Sequence, residues 1–125
     1  MPKKIMIVDD SVDFVNMIKK RLELSGYIVV TANDGEDAMK KLPGDVDLII
    51  LDVMMPKVDG YTLLHSLRRS KSLTKAVPII VISAKPELKD LFQIEGITEY
   101  LVKPVDVGKL MDTIQRSLGP ASAVR

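Results

Sequence analysis

Five short runs dominated by Val, Ile and Leu recur along the chain, separated by stretches whose apolar residues fall at helical spacing. The runs are KIMIV (4–8), YIVVTA (27–32), DLIIL (47–51), PIIVIS (78–83) and EYLVK (99–103). Near-continuous apolar runs of this length predict strands covered on both faces, as in parallel sheets.

The intervening stretches read as helices. Val15, Ile18 and Leu22 share one face, and Gly26 supplies the stop. Asn33 or Asp34 can cap a short helix carrying Ala38, Met39 and Leu42, ended by Pro43 and Gly44. Asp59 can cap a helix with Leu63, Leu64 and Leu67 inward. Pro86 suits a first helical position, with Leu88, Leu91 and Phe92 behind it. Asp106 can cap the last helix, where Val107, Leu110, Met111, Ile114 and Leu118 form the clearest stripe. The segment after residue 119 has no periodicity and reads as a flexible tail, which leaves residues 1–119 as the domain and 120–125 as the tail. Five strand–helix units in alternation predict one α/β stack with right-handed crossovers.

Composition narrows the class. The 125 residues suit one domain, and 46% of them are hydrophobic, enough for a packed core. Net charge is +1, from 18 basic and 17 acidic side chains, so no global field favours nucleic acid or an anionic membrane. The basic runs Lys19–Arg21 and Arg68–Arg69 read as solvated helix faces, and His65 as a surface histidine. With no cysteine, disulfides, thiol nucleophiles and thiolate metal sites are excluded. The longest apolar run, AVPIIVI, is far short of a membrane span, and the opening MPKKIMIVDD lacks a signal-peptide core. These features fit a soluble, cytoplasmic protein. The seven methionines are expected to fill gaps in the core.

Sheets of this type place chemistry outside the carboxyl ends of their strands. There the first run delivers Asp9 and Asp10, the third Asp52, the fourth Ser83 and the fifth Lys103. Each alone is ordinary: an acid pair ahead of a helix is commonly a cap, and an acid after a strand a turn residue. Together they are complementary. Hard oxygen donors without His or Cys suit a magnesium-like ion. Lys103 and Ser83 can hold phosphoryl oxygens, and Asp52 is the central nucleophile. A nucleotide or flavin binder would want a glycine- or Ser/Thr-rich loop where this chain has DDSVD. An aspartate-dependent phosphohydrolase would want a second acid or water-positioning group within VMMP (53–56).

The motifs IMIVDDS, LIILDVMMPKVDG, PIIVISA and EYLVKP occur in this order, and with them residues 3–118 resemble the receiver domain of bacterial two-component response regulators. The resemblance implies a five-stranded parallel sheet of order 2-1-3-4-5 flanked by five helices, flavodoxin-like and doubly wound; the pattern alone does not give that order. It implies that Asp52 accepts a phosphoryl group from a histidine kinase or phosphotransfer protein. Asp9, Asp10 and Asp52, with the main-chain carbonyl of Met54, would hold Mg2+ or, as an alternative, Mn2+. Lys103 would bind the phosphoryl group, the Lys103–Pro104 peptide would be cis, and Ser83 and Tyr100 would rearrange on activation. The implied activity is a switch with self-catalysed phosphoryl transfer and autodephosphorylation, not a turnover enzyme. Its implied output is a downstream protein target or a fused output domain, without direct contact to nucleic acid or membrane. Met54 and Lys85 occupy positions that tune phosphoryl lifetime in the family, and an apolar Met54 implies a persistent group. Glu95, Gly96 and Ile97 replace the usual Ala-Gly-Ala, and the fourth helix looks short.

Overall fold

In the computed structural model, residues 2–41, 46–53, 60–69 and 77–118 are described, the side chains of residues 60 and 67 excepted. Strands β1 (Lys4–Val8), β2 (Ile28–Ala32), β3 (Leu48–Asp52), β4 (Ile79–Ser83) and β5 (Glu99–Val102) alternate with helices α1 (Val12–Leu24), α2 (Gly35–Lys41), α3 (Gly60–Arg69), α4 (Lys89–Ile94) and α5 (Val107–Leu118). The strands form one sheet in the order β2-β1-β3-β4-β5, and every neighbouring pair is parallel.

Alternation along each strand separates two cores. Met6, Val8, Ile49, Leu51, Ile79 and Val81 face one side, where Ala38, Leu63, Leu64 and Phe92 of α2, α3 and α4 cover them. Ile5, Ile7, Leu48, Ile50, Ile80 and Ile82 face the other, under Val15, Ile18 and Leu22 of α1 and Leu110 and Ile114 of α5. β3 and β4 are buried throughout, as strands with two covered faces and two strand neighbours must be. β2 is not: Ile28 is exposed, and only Ala32 is fully buried. The double-cover expectation fails there because β2 lies at the sheet edge.

Local chemistry sets the helix ends. Ser11, not either acid of the preceding pair, caps α1, its side chain accepting from the Phe14 amide. At the other end Gly26 takes φ 98°, the left-handed conformation that closes a helix. Asp34 caps α2 by accepting from the Asp37 amide at 2.8 Å, and Asp37 accepts from the Asn33 amide at 3.1 Å. Asp106 caps α5 through the Lys109 amide at 3.1 Å. The cap expected at Asp59 and the inward Leu42 lie outside the described residues, as do the side chain of Leu67 and the tail 120–125.

Two helices depart from expectation. α2 buries Ala38 but leaves Met39 46% exposed. Pro86 opens a 3-10 turn (Pro86–Leu88) rather than α4 itself, which has six residues, short as the sequence implied. The tighter winding of that turn shifts the side-chain phase, so Phe92 alone is fully buried and Leu91 faces out. Nor do the methionines act uniformly as core filler: Met6 is buried, whereas Met17 and Met39 are exposed.

Candidate functional site

The register determines which strand ends meet. Val8 pairs with Leu51, so the residues that follow, Asp9 and Asp52, emerge side by side. Asp52 pairs with Ile82 and Ser83 with Val102, which brings Ser83 and Lys103 to the same edge. Asp9 and Asp52 are almost fully buried and Ser83 entirely so, while Asp10 is exposed.

Carboxylate oxygens of Asp9, Asp10 and Asp52 lie within 4.8 Å of one another. Lys103 Nζ sits 3.3 Å from Asp52 Oδ2, with the Asp52 side chain 3% exposed. Burial pushes the Asp9 carboxyl up to about 6 against the opposing Ser11 amide, which donates to Oδ1 at 2.8 Å; the charge of Asp52 pushes it the same way as burial. Such a cluster favours either a proton or a cation.

Ser83 and Tyr100 are tied to one residue. The Lys85 amide donates to Ser83 Oγ at 2.9 Å, and the Tyr100 hydroxyl donates to the Lys85 carbonyl. Tyr100 is buried with its ring against Phe92, centroids 5.9 Å apart. The Lys103–Pro104 peptide is cis, and the Lys103 amide donates to the Ser83 carbonyl at 2.8 Å. Met54, the remaining position expected at this site, lies outside the described residues.

A family model described as the response regulator receiver domain matches residues 5–115. The chain belongs to this family. The receiver is 44% identical over 107 residues to the alkaline phosphatase synthesis transcriptional regulatory protein PhoP of Bacillus subtilis, an alignment covering 83% of this chain and 43% of that one. It is 38% identical over 117 residues to the transcriptional regulatory protein CpxR of Escherichia coli, covering 92% and 49%. The receiver thus spans about half the length of the curated relatives it matches. Among solved structures, the Vibrio cholerae chemotaxis response regulator CheY4 superposes with a TM-score of 0.86 at 36% identity, covering 94% of this chain and all of that one. The Thermotoga maritima response regulator TrrA, solved in complex with Mg(2+)-BeF, superposes at 0.81 with 31% identity, covering 93% and 99%. No helix among the described residues is long and apolar enough to cross a membrane.

A second polar cluster went unread in the sequence. On α3, Tyr61 donates to Glu95 Oε2 at 3.1 Å, and His65 Nδ1 lies 3.3 Å from the same oxygen. Arg68 is no solvated surface charge: it donates to the carbonyls of Val77, Glu95 and Gly96 at 3.2, 3.2 and 2.9 Å. The available signal was the spacing of Tyr61, His65 and Arg68, which puts three polar groups on one stripe of a helix.

Proposed function

We propose that this receiver is the phosphoacceptor of a two-component pathway, with Asp52 carrying the phosphoryl group. One observation supports this above the others: the buried Asp52 carboxylate stands at the sheet edge with two acids within 4.8 Å and an ammonium 3.3 Å away. That is a nucleophile flanked by a cation-binding pair and a phosphate-binding charge.

The donor set fits a hard divalent ion. Three carboxylate oxygens converge without imidazole or thiolate, and burial, reinforced by the charge of Asp52, pushes Asp9 up to about 6, a penalty that a bound cation would offset. Asp9, Asp10 and Asp52 would hold magnesium or manganese, together with the carbonyl of Met54 that the family resemblance adds. When bound, the ion supplies positive charge that offsets the oxygens of the transferring group.

In the transfer, an Asp52 oxygen attacks phosphorus of a phosphohistidine on a sensor kinase or phosphotransfer protein. The P–O bond forms as the P–N bond breaks, and the electron pair leaves with the imidazole, which takes up a proton. Lys103 holds one phosphoryl oxygen, and Ser83 offers its hydroxyl proton to another after releasing the Lys85 amide. Tyr100, bonded to the same residue, is then freed to rearrange. Reversal by hydrolysis adds water to phosphorus and restores the Asp52 carboxylate with release of phosphate. A thioether at position 54 is a poor hydrogen-bond partner for such a water, which favours a persistent phosphoryl group. The output is a protein target or a fused output domain; the longer relatives are named transcriptional regulatory proteins, and this receiver matches about half of their length.

Incubation with acetyl phosphate and magnesium should add about 80 Da to the intact mass, the increment of one phosphoryl group. Asp52→Asn should abolish it. An adduct that survives that substitution, or none on the native protein, refutes the assignment.

A further inference from the structure

Glu95 closes α4, and its side chain is only 10% exposed. It is held from α3 by Tyr61 and His65 on a single oxygen, while Arg68 grips the main chain of Glu95 and Gly96. Tyr61 continues inward: it stacks on His65 at 6.1 Å and meets Phe92 edge-on at 5.3 Å. The opposite end of the same segment is held at Lys85, whose amide and carbonyl engage Ser83 and Tyr100. Residues 85–96 are therefore pinned at both ends, one beside the acid edge and one on α3.

The α3 end differs in being chargeable. The His65 side chain is 43% exposed, so its ring lies open to solvent. Among the described residues, the titratable and charged groups acting on Glu95 are Tyr61, His65, Arg68 and Arg69, all from α3. The His65 contact, followed by the Tyr61 hydroxyl, holds the Glu95 carboxyl below its ordinary range against the opposing effect of burial. Glu95 thus stays ionised at neutral pH, and imidazole is the side chain whose charge changes between about pH 5 and 8.

We propose that His65 and Glu95 form a proton-operated latch: protonation of His65 tightens the hold of α3 on the end of α4 and so restrains the 85–96 segment. On the function proposed above, in which phosphorylation remodels that segment, acidification makes the remodelling harder.

Hydrogen exchange in the unphosphorylated protein tests the latch separately from that function. Rates for residues 86–97 are compared at about pH 6 and about pH 7.5, each normalised to the intrinsic chemical rate, across the window in which imidazole titrates. The native protein should exchange roughly two- to fivefold more slowly at the lower pH, the range for a partly exposed ion pair. Asp9 also titrates in this window, and α1 beside it reports that effect, so the change in 86–97 must exceed the change in α1. His65→Phe keeps the ring on Tyr61 without a charge, and Glu95→Gln keeps the shape; both should erase the pH difference. A native protein with no difference, a difference shared equally by α1, or one that survives in either variant overturns the proposal.

Discussion

The ammonium of Lys103 stands 3.3 Å from Asp52 although the two residues lie 51 positions apart in sequence. Its side chain is about one-third exposed, while that of Asp52 is buried. The charge that balances the acid edge therefore comes from the solvent side. Lys103→Ala should lower stability of the metal-free protein by about 1 kcal/mol, since it leaves a buried carboxylate among like charges, with the loss moderated by solvent screening at the lysine. Denaturant titration in chelator measures it, and the deficit should shrink when magnesium is added. An unaltered midpoint in chelator contradicts the pairing.

Asp52→Asn should act the other way. Among the described residues Asp52 stands beside two acids and the Lys103 amine, and neutralising it relieves like-charge repulsion and a desolvation penalty. Without metal the variant should gain about 1 kcal/mol, within the usual range of a single stabilising substitution. Magnesium should stabilise the native protein more than the variant. Thermal unfolding of both with and without magnesium checks the sign, and a lower metal-free midpoint for the variant counts against close approach of the three acids.

The α2 cap carries its own pH signature. The Asn33 amide, then Lys41 at 3.2 Å, hold the Asp37 carboxyl below its ordinary range. A group whose folded pKa is depressed contributes stability above its unfolded pKa and loses it as pH falls through the folded one. Asp37→Asn should therefore cost about 0.5–1 kcal/mol at neutral pH, the usual worth of a cap contact. The deficit should vanish as pH drops below the ordinary carboxylate range. Paired urea titrations at neutral and acid pH decide it, and a deficit independent of pH speaks against a charged cap.

Phe92 is the large side chain by which short α4 is anchored, fully buried between Tyr61 and Tyr100. Phe92→Ala should cost about 3–4 kcal/mol, as for other buried phenylalanines. It should also raise hydrogen exchange in residues 86–97 more than in α1. Uniform acceleration across both helices would mean that Phe92 supports the whole core rather than α4.

Much of this arrangement was legible in the sequence because parallel strands announce themselves twice, by apolar runs and by the polar residue that ends each run. Asp9, Asp52, Ser83 and Lys103 could be assigned to one edge from that alone, given adjoining strands. Strand order was not legible, since nothing local marks β2 and β5 as the edge strands until their partners are known. The phase of α4 was misread because a proline that suits a first helical turn opened a 3-10 turn instead, rotating Leu91 outward. Arg68 was misread because its stripe with Tyr61 and His65 marks a polar face but not its partners, and the carbonyls it bonds, at positions 77, 95 and 96, lie outside that helix.

The parallel register also fixes where attachments leave the domain. Lys4 begins β1 one strand-length, about 16 Å, from the edge that holds Asp9. α5 starts just past Lys103 and runs twelve residues, about 18 Å, away from that edge. The chain therefore enters β1 and leaves α5 on the rim opposite Asp52, so a covalent attachment at Lys4 or Leu118 starts a full element length away from the acids.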